Sequence, residues 1–159
     1  DAALQSVREA QAVAERAQLS SPRAWTCAML GELLLLQDRS LEEAQAPLDV
    51  ALRLFQEANQ RDGVLIVQHH LGDLARRQGR WEEAAAHFHA SLAAAQSSND
   101  RRMIARCQIG LGQLALSRGD AAEARRRLDA GQALLDALPA FLPAAAWEEL
   151  RAAQAAAAG

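Results

Sequence analysis

Four histidines and two cysteines are the residues of this 159-residue chain best suited to chemistry, and their spacing argues against most of it. His69 and His70 are adjacent, and His87 and His89 are two apart. Two ligands on one helix reach a shared ion at i,i+4, as in HExxH, so neither pair is a metal site. Cys27 and Cys107 lie far apart with no CxxC. On apolar faces they are expected to be buried free thiols in a reducing compartment. Arg125, Arg126 and Arg127 form the densest basic run, but Glu123 and Asp129 flank it. A solvated helix face is therefore expected rather than a phosphate patch. Glu82–Glu83 and Glu148–Glu149 suit first helical turns, where they complement the helix dipole. There is no Ser-His-Asp order, Gly-rich phosphate loop or paired-carboxylate arrangement. The expectation is a non-enzymatic chain with no catalytic residue, cofactor or metal.

The composition points to helices that pack closely. Half the residues are hydrophobic but only 4% are aromatic, and glycine and proline are sparse. Alanine is the commonest residue, so helix propensity is high nearly everywhere. A net charge of −3 gives no reason to expect direct nucleic-acid or membrane contact. The longest apolar run, Leu33 to Leu36, is far short of a span. With Asp1 in place of an initiator methionine, the chain reads as a piece of a longer, cytoplasmic protein.

Helical periodicity begins at once, with Ala3, Val7, Ala10 and Ala14 on one stripe. Ser21 before Pro22 reads as a cap for the next helix. Ser40 with Glu43 reads as a capping box. Pro47, inside the helix that follows, predicts a late start or a kink. Gly79-Arg80 and Gly119-Asp120 read as turns, Asn99 or Asp100 as a cap, and Asp120 to Glu123 as another box. Pro139 stops the pattern, and a last helix over 141–158 opens with Pro143 and carries Trp147 and Leu150.

The pattern repeats. Gly31, Gly72 and Gly112 stand 41 and 40 residues apart, and Ala44, Ala84 and Ala124 stand 40 apart each time. A period in this range signals a solenoid of stacked helix pairs. The units resemble tetratricopeptide repeats, in which a Leu-Gly step in the first helix is followed by Ala and a large residue in the second. Leu30-Gly31, Leu71-Gly72 and Leu111-Gly112 match that pattern, as do Ala44/Leu48, Ala84/Phe88 and Ala124/Leu128. The family's Trp position holds Cys27, Gln68 and Gln108, its Tyr position holds Leu34, Ala75 and Ala115, and its closing Pro is absent. The forty-residue period is similar to a longer variant found in bacterial multidomain transcription regulators, signalling ATPases and cortical adaptors. The resemblance implies one all-α domain over 1–159, an α-α superhelix of about eight antiparallel helices. Residues 1–19 would be the second helix of a preceding repeat. Three full repeats would cover 21–59, 61–98 and 100–138, with 141–158 as a capping helix.

Opposite the core stripe, four offsets share a face on each first helix. They hold Trp25, Ala28, Glu32 and Leu35, then Ile66, His69, Asp73 and Arg76, then Arg106, Ile109, Gln113 and Leu116. The resemblance places this face on a concave groove that binds partners. Two readings of its apolar residues stay open. They are anchors around a charged centre, or they reflect a helix touching neighbours on both sides. The family's Lys/Asn carboxylate clamp lacks its residue types, so an extended segment, a neighbouring domain or a helix is the expected protein partner. The function expected is a scaffold or regulatory module of a larger regulator. The alternative is a small-ligand sensor controlling oligomerisation of a transcription regulator. The half repeat at the start and the alanine-rich last helix suggest a homodimer through exposed ends.

Overall fold

A computed structural model describes residues 2–37 and 41–138, together with 152, 153, 155 and 156. Among the described residues there are seven helices and no strand: α1 (Ala2–Arg16), α2 (Ser20–Leu36), α3 (Leu41–Glu57), α4 (Arg61–Arg77), α5 (Trp81–Ser97), α6 (Arg101–Ser117) and α7 (Ala121–Asp136). The expected eighth helix lies almost wholly outside the described residues. Ala152, Ala153, Ala155 and Ala156 are helical, and Ala153 is buried with Ala105, Leu128 and Leu135.

The turns follow one design. After each of α1, α3, α4, α5 and α6, a single residue adopts a positive φ: Gln18, Asn59, Gly79, Asn99 and Gly119. The next amide then reaches back to a carbonyl in the last turn, as from Arg80 to Ala75 at 2.8 Å and from Asp100 to Ala95 at 2.9 Å. This closure satisfies helix-end carbonyls that would otherwise be orphaned. Of the two candidate caps, Asp100 is the one used, accepting from the Met103 amide at 3.0 Å, and Asp120 accepts from Glu123 at 3.0 Å.

Two local expectations are corrected. Ser21 is not a cap: α2 begins at Ser20, its N-cap is Leu19, and no side chain caps it. The Ser21 hydroxyl instead accepts from Gln60 Nε2 at 3.2 Å. Pro22 still falls in the first turn, where its missing N–H is harmless. Nor does Pro47 delay α3, which runs from Leu41 through it to Glu57. One early backbone bond is lost, while Ala44, Leu48, Ala51 and Phe55 hold the helix by burial. The proposed Ser40 cap lies outside the described residues.

α2 lies on α3, α4 on α5 and α6 on α7, and the contact is glycine under a large side chain. Gly31 faces Leu48, Gly72 faces Phe88 and Gly112 faces Leu128. A Cβ at Gly72 would stand 2.8 Å from the Phe88 ring, and one at Gly112 would stand 2.8 Å from Leu128 Cγ. Leu48, Phe88 and Leu128 are fully buried, so none has room to retreat.

Gly72→Val should therefore destabilise the fold by about 1–3 kcal/mol in urea denaturation, the usual cost of overpacking a filled core. Gln18→Gly should act oppositely, because Gln18 occupies a left-handed conformation (φ 53°). Relief of about 1 kcal/mol is expected, and no gain in midpoint would refute that account.

Candidate partner-binding face

The helices form two layers. α2 touches α4 and α4 touches α6, whereas among the described residues α3 does not touch α5, nor α5 α7. Neighbouring pairs thus converge on the side of α2, α4 and α6 and splay on the other, giving a concave inner face. Arg106 on α6 reaches Glu32 on α2 at 3.9 Å, so the pair bridges across α4.

Four of the candidate residues, Glu32, Asp73, Arg76 and Arg106, pair there, with Arg77 joining them. Asp73 Oδ1 accepts from Arg76 Nη2 at 2.6 Å and Nε at 3.2 Å. Its other oxygen lies 2.8 Å from Arg77 Nε. Asp73, Arg76 and Arg77 each keep about a fifth of their side-chain surface, so this pairing is screened less than a surface ion pair. Arg77 also donates to the Leu35 carbonyl at 2.8 Å, tying α4 to α2. Glu32 and Arg106 are the more open pair, at 46% and 42%. Counting Glu32, Asp73, Arg76, Arg77 and Arg106, the face carries one net positive charge. Gln113, half-buried, takes the same register on α6 as Glu32 and Asp73.

The apolar candidates divide. Trp25 packs edge-on against buried Phe55, with centroids 4.8 Å apart at 68°, yet stays 39% exposed. Ile66 is half-buried against the core around Phe88. Leu35, by contrast, belongs to the core at 3% exposure and offers no groove surface, and Ala28 is buried likewise. Ile109 and Leu116 pack against the cluster formed with α7, where a Cβ at Gly131 would meet Ile109 at 2.8 Å. For these residues, contact with neighbours on both sides explains the broad apolar arc.

His69, His70 and His87 pack or bond within the array, and His89 is exposed. His69 is half-buried, its ring centroid 5.5 Å from Phe88 and 5.9 Å from His70, and its Nδ1 is buried without a hydrogen-bond partner. Burial, then Arg106, His70 and Arg76, hold its pKa well below 6.5. His70 is 5% exposed. Burial and then Arg106 push its pKa down to about 3, against the opposing pull of Asp73. His87 is no bystander: its Nδ1 lies 2.6 Å from Gln68 Oε1, joining α5 to α4. One repeat on, Arg127 donates to Gln108 at 2.9 Å and to Glu123 at 2.7 Å. Arg127 is thus half-buried and bonded rather than part of a solvated run, while Arg125 and Arg126 are exposed. The readable signal was polar glutamine at an inward position in both repeats. Arg77, also missed, sits one residue beyond the offsets considered.

Both cysteines are free and buried, and burial raises both thiols. Cys107 donates to Ser91 Oγ at 3.2 Å, and Ser91 donates to the Leu65 carbonyl at 2.7 Å. Among the described residues no three His, Cys, Asp or Glu side chains group to hold a metal ion. None of the described helices is long and apolar enough to cross a membrane.

Among known proteins, the sequence profile of the Tetratricopeptide repeat family matches residues 63–137. No curated protein matches the chain.

Two neutral histidines make stability depend on pH. Their folded pKa values lie below the ordinary 6.5, so the unfolded chain binds protons that the native chain refuses. Stability is fully present above pH 6.5 and is lost as pH falls toward 3. Each unit below 6.5 should cost up to about 1.4 kcal/mol per histidine. Urea midpoints should fall between pH 7 and 5.5, and His70→Met should flatten the fall. Equal midpoints in the native chain would refute the account.

Proposed function

We propose, from the premise that residues 63–137 are tetratricopeptide repeats, that the chain captures a segment of a partner protein on its inner face. Repeats of this family generally mediate protein–protein interaction. The observation that carries the reading is the convergence of Glu32, Asp73, Arg76 and Arg106 from three helices, with exposed Trp25 and half-buried Ile66 on the same first helices. Such a surface fixes a peptide by charge-assisted hydrogen bonds and gains affinity from apolar burial. An extended or helical segment carrying both carboxylate and apolar groups fits it. The larger setting we infer is the regulatory portion of a cytoplasmic regulator, with the array as its non-catalytic scaffold.

Peptides selected by display against the intact chain should carry acidic and apolar residues together. Binding of the selected peptide should weaken about tenfold or more, roughly 1.4 kcal/mol, in Arg76→Gln and Arg106→Glu, with circular dichroism showing both variants helical at the assay temperature. Unchanged affinity in both variants would overturn the assignment to this face.

A further inference from the structure

We propose, resting on capture of a partner segment at the inner face, that Arg106 reads an acidic side chain of that segment and that Glu32 holds the place until the partner's carboxylate displaces it. Glu32, Asp73 and Gln113 take one register position on successive first helices, yet only Asp73 is neutralised by its own helix. Arg76 and Arg77 follow it at i+3 and i+4, with contacts of 2.6 and 2.8 Å. Those are the spacings at which helical neighbours meet. The same places after Glu32 hold Leu35 and Leu36, so its helix offers no cation there. Arg106 is stranded in the same way. Its counterparts on α2 and α4 are Trp25 and Ile66, and three and four residues away on α6 stand Arg102, Met103, Ile109 and Gly110, none of them acidic. The two lone charges therefore pair across α4, inside the array, at 3.9 Å. That separation is too long for a hydrogen bond.

This pair is exchangeable where the Asp73 cluster is not. Asp73 has both oxygens engaged, and Arg76 already directs Nε and Nη2 toward it. Among the described residues Arg106 makes no hydrogen bond, and it keeps 42% of its side-chain surface open. Its five N–H donors form a planar fork that matches a carboxylate in two parallel bonds. An entering Asp or Glu side chain can close to hydrogen-bond length, which Glu32 does not reach from the far side of α4. A segment without a carboxylate has nothing to offer Arg106 and leaves the Glu32 contact in place. Competition from the protein's own carboxylate thus raises selectivity for an acidic partner while lowering its affinity.

The probes are an acidic peptide selected by display on the intact chain, and the same peptide with its Asp and Glu changed to Asn and Gln. Calorimetric titration should show Glu32→Gln binding the acidic peptide about two- to fivefold more tightly than the native chain, the range that exposed ion pairs span. The gain should vanish with the amide peptide, and in the double variant Glu32→Gln/Arg106→Gln. Asp129→Asn, which removes the same charge from the exposed surface of α7, should give no such gain. No gain in Glu32→Gln, a gain that persists without Arg106, or an equal gain in Asp129→Asn would overturn the proposal. Capture at the inner face would survive that outcome if Arg106→Glu still weakened binding, whereas a selection that yields no acidic peptide would overturn both.

Discussion

The structure depends on how closely two helices can approach where a large side chain must fit between them. Leu48, Phe88 and Leu128 each fill the gap within a pair, and each is met by glycine because a methyl group there would already collide. Close packing leaves no slack, so volume is conserved from layer to layer rather than residue by residue. Phe55 is met by Gly63, while at the next boundary the same two positions hold Ala95 and Met103. Phe88 is met by Gly110, while one repeat earlier Leu48 and His70 hold the corresponding places. The repeats therefore tolerate loss of consensus identity where a large and a small residue exchange sides.

That tight inner packing also shapes the candidate site. With first helices in mutual contact and second helices apart, a charged residue on α6 reaches one on α2. Asp73 would be costly at its partial burial without cations beside it, and Arg76 and Arg77 supply them from its own helix. Arg77 is fixed in turn by the Leu35 carbonyl, so the charge cluster and the α2–α4 register support each other. Keeping His70 neutral beside this cluster makes the same region sensitive to acid.

Much of the fold was legible because its signals are local. The Leu-Gly steps, the turn glycines and the Asp100 and Asp120 caps each act within a few residues, and each lies where the sequence placed it. The face assignments were harder. A helical wheel separates two sides, but a first helix here touches its own second helix and first helices on both flanks. Leu35 therefore went to the core, His69 to Phe88 and Ile109 to α7. Pro47 does not delay α3, because burial of Phe55 and Leu48 outweighs one missing backbone bond. Gln68 and Gln108 looked like departures from a family pattern, and they proved to be the inner halves of bonds to His87 and Arg127.

A single register position shows why exposure in a repeat array is informative where it is not in an ordinary domain. Met29, His70 and Gly110 share one place on successive first helices, yet they range from half exposed to buried. Side-chain chemistry does not order them, because the most apolar of the three is the one facing solvent. What differs is the neighbour: among the described residues a helix pair precedes the helices of His70 and Gly110, and α1 precedes that of Met29. An isolated exposed methionine needs no explanation. A methionine exposed where two counterparts are covered shows how far burial in the array is set by neighbours rather than by side-chain chemistry.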